Sequence, residues 1–271
     1  MTYCVGIQVD GGLVFAADTR TSAAFDDVRV HGKMHVFETP GERVFVLLSA
    51  GNLATTQAVV ARLRRDVDDA QSEFSLARAT RIDAAADYVG RMLVACQAQM
   101  RESAQQSGVS VEATLILGGQ VAGEEPAVLL IYPLGNWIAA SPETPYLQIG
   151  ESKYGKPILD RIIEPQTRLE DAARCALVSI DSTIRSNVSV GLPIDLALVR
   201  RDELRIGERM RLAEDTPLYA EIHDTWSRKL EAAVRSLPRF PWEATPAGTP
   251  ALQQAASIAD AQAQAQTQAQ Q

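Results

Sequence analysis

The order of elements in this sequence predicts an α+β fold, a four-layer αββα sandwich. Three observations carry that expectation. The first fifty residues alternate apolar and polar positions like paired strands, and two helical stretches then follow with no strand between them. The second half repeats the scheme, strands and then two helices, before a closing hairpin. The resulting order is ββββ-αα-βββ-αα-ββ, which two antiparallel sheets, each flanked by a helix pair, satisfy.

Each element has its own justification. CVGIQVD, a GG turn and LVFAADTR read as a first hairpin, and MHVFET, the turn at Pro40-Gly41 and RVFVLLSA as a second. Gly51 ends that strand, and NLATTQAVVARLRRDV takes helical spacing with Asn52 in the cap position. A second helix, about 81–103, sets Ile82, Ala86, Val89, Met92, Leu93 and Cys96 on one face. ATLILGGQ, AVLLIYPLG and NWIAAS return to strand, with Gly118-Gly119 read as a turn. From Gly150 a helical block is expected, KYGKPILDRII and then RLEDAARCALVSIDSTIRS. After Pro193, IDLALVR and ELRIGERMRL read as the last hairpin. These elements define a domain over 2–212. Residues 213–243 are expected to form a C-terminal helical extension, carrying Leu218, Ile222, Trp226 and Leu230 on a helix at 216–237. Residues 244–271, almost wholly Ala and Gln late on, have too few large apolar groups to offset ordering entropy and read as a disordered tail.

Composition narrows the function classes. The chain of 271 residues has 34 acidic and 26 basic side chains, a net charge of -8 that disfavours nonspecific nucleic-acid binding. VLLIY at 128–132 is strand-length, far below a bilayer span, and MTYCVGIQVD lacks the basic start and apolar run of a secretory signal. No membrane association and a cytoplasmic location are therefore expected. Cys4, Cys96 and Cys175 are an odd number without a CxxC pair, which argues against a disulfide framework or structural zinc.

The chemistry gathers near the front of the chain. If Met1 is removed, Thr2 presents a hydroxyl and a free α-amine on one residue, so it can serve as nucleophile and base together. An amine with a pKa near ~8 keeps a sizeable neutral fraction, about a tenth, near pH 7. Asp18 ends a strand in AADTR, and Lys33 lies fifteen residues further on, in HGKMHVF. Beside the nucleophile, the lysine would lower the amine's pKa and stabilise negative charge, and the aspartate would hold the ammonium by a charge-assisted hydrogen bond. Gly51 in SAGN could offer its backbone N–H to an oxyanion.

AADTR, the lysine of HGKMH, and SAGNLA leading into a helix together resemble a proteasome-type β-subunit, an N-terminal-nucleophile hydrolase. MTYCVG, KMHVFE and GESKYGKPILDR are most similar to the bacterial Anbu, or ancestral β-subunit, branch, over about residues 2–210. That resemblance implies amide-bond hydrolysis through an acyl-enzyme, with Thr2, Asp18, Lys33, Gly51 and Ser189 as catalytic positions. It needs no metal or organic cofactor. It also implies a peptide or small amide substrate and a homo-oligomer, ring or open lock-washer. No ATPase-docking motif identifies an unfoldase partner. Lys33 stands one residue closer to the threonine than the family's usual spacing. RSNVSVG retains the motif's serine as Ser189 but has Ser186 in place of its aspartate, and Gly150-Glu151-Ser152 replaces Gly-Ser-Gly. Glu151 near the amine would raise its pKa and weaken it as a base. The rival reading is a structural or binding subunit in which Thr2, Asp18 and Lys33 are remnants.

Other features read as structural. His31 and His35 flank Lys33 and would share one face of a strand, but with His223 they lack a convergent third metal ligand. Cys4 reads as a packed, unreactive thiol. ARLRRDVDD and RMRLAED read as solvated faces available as rim contacts in an assembly.

Overall fold

The computed structural model describes residues 1–22 and 28–243; the expected tail at 244–271 lies outside them. The chain divides into two compact units, Met1–Trp226 and a second that begins at Ser227. The strands of the first are β1 (Tyr3–Val9), β2 (Gly12–Asp18), β3 (Arg20–Ser22), β4 (Val28–Val30), β5 (Met34–Thr39), β6 (Arg43–Gly51), β7 (Ala113–Val121), β8 (Ala127–Ile131), β9 (Trp137–Ala139), β10 (Tyr146–Gly150), β11 (Ile194–Arg200) and β12 (Glu208–Leu212). The helices are α1 (Leu53–Asp68), α2 (Ile82–Ser107), α3 (Lys156–Ile162), α4 (Leu169–Ser186) and α5 (Pro217–Arg235), which runs past the division.

Two five-stranded antiparallel sheets form the middle layers, one ordered β10-β1-β2-β11-β12 and the other β5-β6-β7-β8-β9. Three cores separate four layers. Tyr3, Val5 and Ile7 pack on Leu159, Ala176 and Ile180 of α3 and α4, and Phe45, Leu47 and Leu117 pack on Val59, Leu63 and Leu93 of α1 and α2. Between the sheets lie Phe15, Leu48 and Ile116, on the strand positions that alternate with those facing the helices. The expected αββα sandwich is thus the observed fold.

Most elements fall where the sequence puts them. Asn52 caps α1, its side chain accepting from Thr55 N at 3.1 Å. Ala86, Val89, Leu93 and Cys96 of α2 are buried as a single face, with Ile82 and Met92 packed at its edge. Three readings change. Gly118-Gly119 is not a turn but lies inside β7, because a side chain at Gly118 would stand 2.5 Å from Phe15 of the opposite sheet. The block expected to turn helical from Gly150 is preceded by β10, which pairs antiparallel with β1 from Tyr3↔Gly150 to Ile7↔Tyr146. A two-stranded ribbon, β3-β4, also intervenes before β5. In α5 the buried anchor is Tyr219, whose hydroxyl donates to Asp181 at 2.8 Å, whereas Leu218 is 44% exposed. The second unit carries the end of α5 and a stacked Phe240–Trp242 pair, ring centroids 4.7 Å apart.

Candidate active site

β1 and β2 pair so that Cys4 faces Ala17, which sets Thr2 beside the end of β2 where Asp18 stands. Gly150 makes the approach on the other side possible. Its φ is +86°, and a Cβ there would lie 2.0 Å from the Thr2 carbonyl oxygen. The Glu151 N–H donates to that oxygen at 2.7 Å, so Thr2 is held by its own backbone before any side chain acts.

Asp18 is completely buried and fully occupied. Its Oδ1 accepts from Tyr3 N at 2.9 Å and from Lys33 Nζ at 2.6 Å, and its Oδ2 from Gly191 N at 3.3 Å. Burial pushes its carboxyl pKa up, opposed by the Lys33 charge and these donors. Lys33 precedes β5 and donates also to Arg20 O at 2.7 Å. An ammonium has three N–H bonds. Two are spent on Asp18 and Arg20, which leaves one for the cavity that Lys33 and Thr2 both line.

Gly51 follows from strand period. In β6, Ser49 N donates toward β5, to Lys33 O at 3.1 Å, and Asn52 N donates the other way, to Glu112 O at 2.9 Å. With a period of two, the Gly51 N–H points like that of Ser49, toward a flank where β5 has not begun. It is therefore a backbone donor left to the cavity. Its φ of +107° requires glycine, and so does the 2.5 Å that would separate an added Cβ from Glu112 O.

The cavity beside Thr2 measures about 180 Å³ and is walled by His31, His35 and Ser49 as well as by Lys33 and Gly51. His31 lies in the coil before β5 rather than on the strand, yet both histidines reach the same space. No cluster of three His, Cys, Asp or Glu suited to a metal occurs among the described residues. Burial holds the His35 imidazole down at about 4, with Arg64 and His31 adding to the effect.

Ser189 is half-buried in the turn after α4, where its N–H donates to Asn187 Oδ1 at 3.0 Å. Among the described residues, no hydrogen bond joins its side chain to Thr2, Asp18 or Lys33. Asn187, which sequence reasoning passed over, links that turn to Glu151, donating from Nδ2 to Oε2 at 3.0 Å; Glu151 Oε1 accepts from Lys153 N at 3.0 Å. Ser186 is exposed. Tyr3, Gly191 and Arg20 contribute through backbone atoms, which residue identity does not reveal. The chain's amine, here on Met1, has its pKa lowered by burial first and Lys33 second, with Asp18 and then Glu151 opposing. Glu151 does act in the expected direction, but it is outweighed. Cys4 is wholly buried, its thiol 3.7 Å from Ser49 O, and burial drives its pKa well up. The packed, inert reading holds.

Comparison with known proteins places these observations in a wider set. The profile of the family described as "Proteasome subunit" matches residues 2–199. "Proteasome subunit beta 1" of Pyrobaculum aerophilum is 25% identical over 210 residues, 75% of this chain and 92% of that protein. Among solved structures, Anbu (ancestral beta-subunit) from Yersinia bercovieri is 40% identical, with TM-score 0.82, covering 88% of this chain and 99% of that one. A helical assembly of the Anbu complex from Pseudomonas aeruginosa is 43% identical, with TM-score 0.82, covering 89% and 98%.

Proposed function

The chain belongs to the proteasome subunit family, in its Anbu branch, and from that premise we propose a threonine-dependent hydrolase of peptide or small amide bonds, acting through an acyl-enzyme on Thr2. The observation that carries this reading is the buried Asp18–Lys33 pair, 2.6 Å apart, whose lysine lines the same cavity as Thr2. Each residue of the site has a part in the reaction.

Removal of Met1 frees the Thr2 amine. That amine, when neutral, takes the proton of the Thr2 hydroxyl as Oγ attacks the substrate carbonyl carbon. The carbonyl oxygen becomes an oxyanion, for which the unclaimed Gly51 N–H is the donor. Collapse breaks the C–N bond, and the α-ammonium returns its proton to the departing amine. Water then adds to the ester, giving its proton to the same amine, which passes it to Oγ as the C–Oγ bond breaks and the acid leaves. Lys33 keeps the amine's pKa low and adds positive charge to the site, while Asp18 fixes the lysine. Ser189 is assigned a supporting place through the Asn187 turn. Assembly as a homo-oligomer, ring or open lock-washer, is part of the same proposal, in keeping with the helical assembly named for the Pseudomonas protein.

The test is turnover of a peptide amide reporter by the natural chain, Thr2→Ser and Thr2→Ala, each with its intact mass measured. Loss of Met1, partial activity in Thr2→Ser and none in Thr2→Ala is the expected pattern. Undiminished turnover by Thr2→Ala would refute the assignment.

A further inference from the structure

The cavity beside Thr2 carries a charge imbalance that the proposed chemistry does not use. Three carboxylates stand near it: two are ion-paired, and the third, Glu151 beside the chain's amine, is held by the Asn187 amide and the Lys153 N–H. Asp18 is paired with Lys33, and Asp195 of β11 accepts two hydrogen bonds from Arg211 of β12, at 2.7 and 2.8 Å. Two further cations, Arg64 of α1 and Arg209 of β12, act on His35 from outside, and neither is ion-paired among the described residues. The His35 side of this cavity is therefore cationic in a chain whose net charge is -8. Composition alone would have given the opposite sign.

Hydrogen-bonding capacity points the same way. His31 Nε2 and Gln57 Nε2 lie 2.7 Å apart, so those two side chains satisfy one another. His35 has no such partner among the described residues, although it is half-buried and lines the cavity. As a neutral imidazole at pH 7 it holds one N–H donor for an incoming group. The volume of about 180 Å³ suits one side chain rather than a drug-sized ligand.

We propose that this cavity selects substrates with an acidic side chain, aspartate or glutamate, on the acyl side of the scissile bond. His35 is the specificity-determining donor, with Arg64 and Arg209 supplying the field. The inference rests on Thr2 as nucleophile, since that places the acyl-side residue here. The competitors are disfavoured by named groups. An apolar side chain would strand the His35 N–H away from water, and a basic one would be repelled by the Lys33 ammonium on the cavity wall and by the charges of Arg64 and Arg209 that act on His35. A carboxylate accepts the hydrogen bond and complements the charge, an advantage of about tenfold over its amide isostere.

Acetylated tripeptide amides ending in Glu, Gln or Leu, otherwise identical, provide the test. Their binding to full-length Thr2→Ala is measured by calorimetry, and the matching coumarin amides are assayed for turnover by the natural chain. The Glu peptide is expected to bind about tenfold tighter than the other two. That preference should fall in Arg64→Glu and Arg209→Glu, whose sites are exposed and tolerate exchange, and in His35→Leu. Equal binding of Gln or Leu, no binding of the Glu peptide, or a preference untouched by all three variants would overturn the inference. Binding to Thr2→Ala needs no nucleophile, so the two ideas separate. Selective binding without turnover refutes the hydrolase, and equal turnover of all three refutes only the selectivity.

Discussion

Removing both halves of the Asp18–Lys33 pair should cost clearly less than the sum of removing each alone. The two side chains are 0% and 7% exposed, so each variant leaves a charge that water cannot reach. Breaking a buried pair from one side typically costs about 3–5 kcal/mol. Position within that range follows from the remaining partners. Lys33→Met leaves Asp18 with the Tyr3 and Gly191 N–H groups, so a loss of about 3 kcal/mol is expected. Asp18→Ala leaves Lys33 with only the Arg20 carbonyl and also orphans two backbone donors, which points to about 5 kcal/mol. For a domain of this size those losses correspond to Tm shifts of about 6–12 °C and 10–20 °C. The double variant removes the stranded charge, so the pair should show a coupling of about 2–3 kcal/mol. Urea melts of the four proteins at pH 7 give the cycle directly. Losses that add to within about 0.5 kcal/mol would refute the reasoning, because the two groups would then be acting independently.

Further outcomes follow from the same geometry. The folded pKa of His35 is depressed from 6.5 to about 4, so the unfolded chain binds the extra proton between those values and stability falls as pH drops through that window. At about 1.4 kcal/mol per unit the loss approaches ~3 kcal/mol, and His35→Gln should remove that part of the slope in urea melts at pH 7 and 4.5. Gly150→Ala should displace Thr2, since its Cβ would sit 2.0 Å from the Thr2 carbonyl oxygen at a φ of +86°. Stability should fall by about 1–3 kcal/mol and kcat by roughly tenfold or more, and unchanged values of both would contradict the packing described. The amine must be neutral to accept a proton, so turnover should rise with pH through a midpoint below the ordinary 8.0. Glu151→Gln removes a charge that raises that pKa, so it should move the midpoint lower still; a shift upward in the pH–rate profile would count against the assignment.

The sandwich was legible because its signal is local. Alternation in CVGIQVD and RVFVLLSA, the Asn52 cap and the apolar face of α2 each declare themselves within a dozen or so residues. β10 was not legible, since Tyr146–Gly150 is short and its partner is the first strand of the chain. Gly118-Gly119 misled because glycine is used for turns and for close packing alike, and only the position of Phe15 distinguishes the two. At the site, side chains that act through charge could be named in advance. Contributions from the Tyr3 and Gly191 N–H groups and the Arg20 carbonyl could not, as any residue supplies a backbone atom. The direction of the Gly51 N–H depends on the register of β5 against β6, which no local pattern supplies. The cationic setting of His35 was hidden for a related reason. Arg64 and Arg209 sit in runs that read as solvated faces, and tertiary structure brings both to bear on one imidazole.

The central claim is that Thr2 is a live nucleophile with a free amine. A peptide epoxyketone tests both halves at once, because it closes a ring only with a hydroxyl and an α-amine on the same residue. Intact mass of the natural chain after exposure should lack Met1 and carry one adduct, mapped to Thr2 and abolished in Thr2→Ala. A chain that keeps Met1 and takes up no adduct would contradict the account, and would favour a structural subunit in which Thr2, Asp18 and Lys33 are remnants.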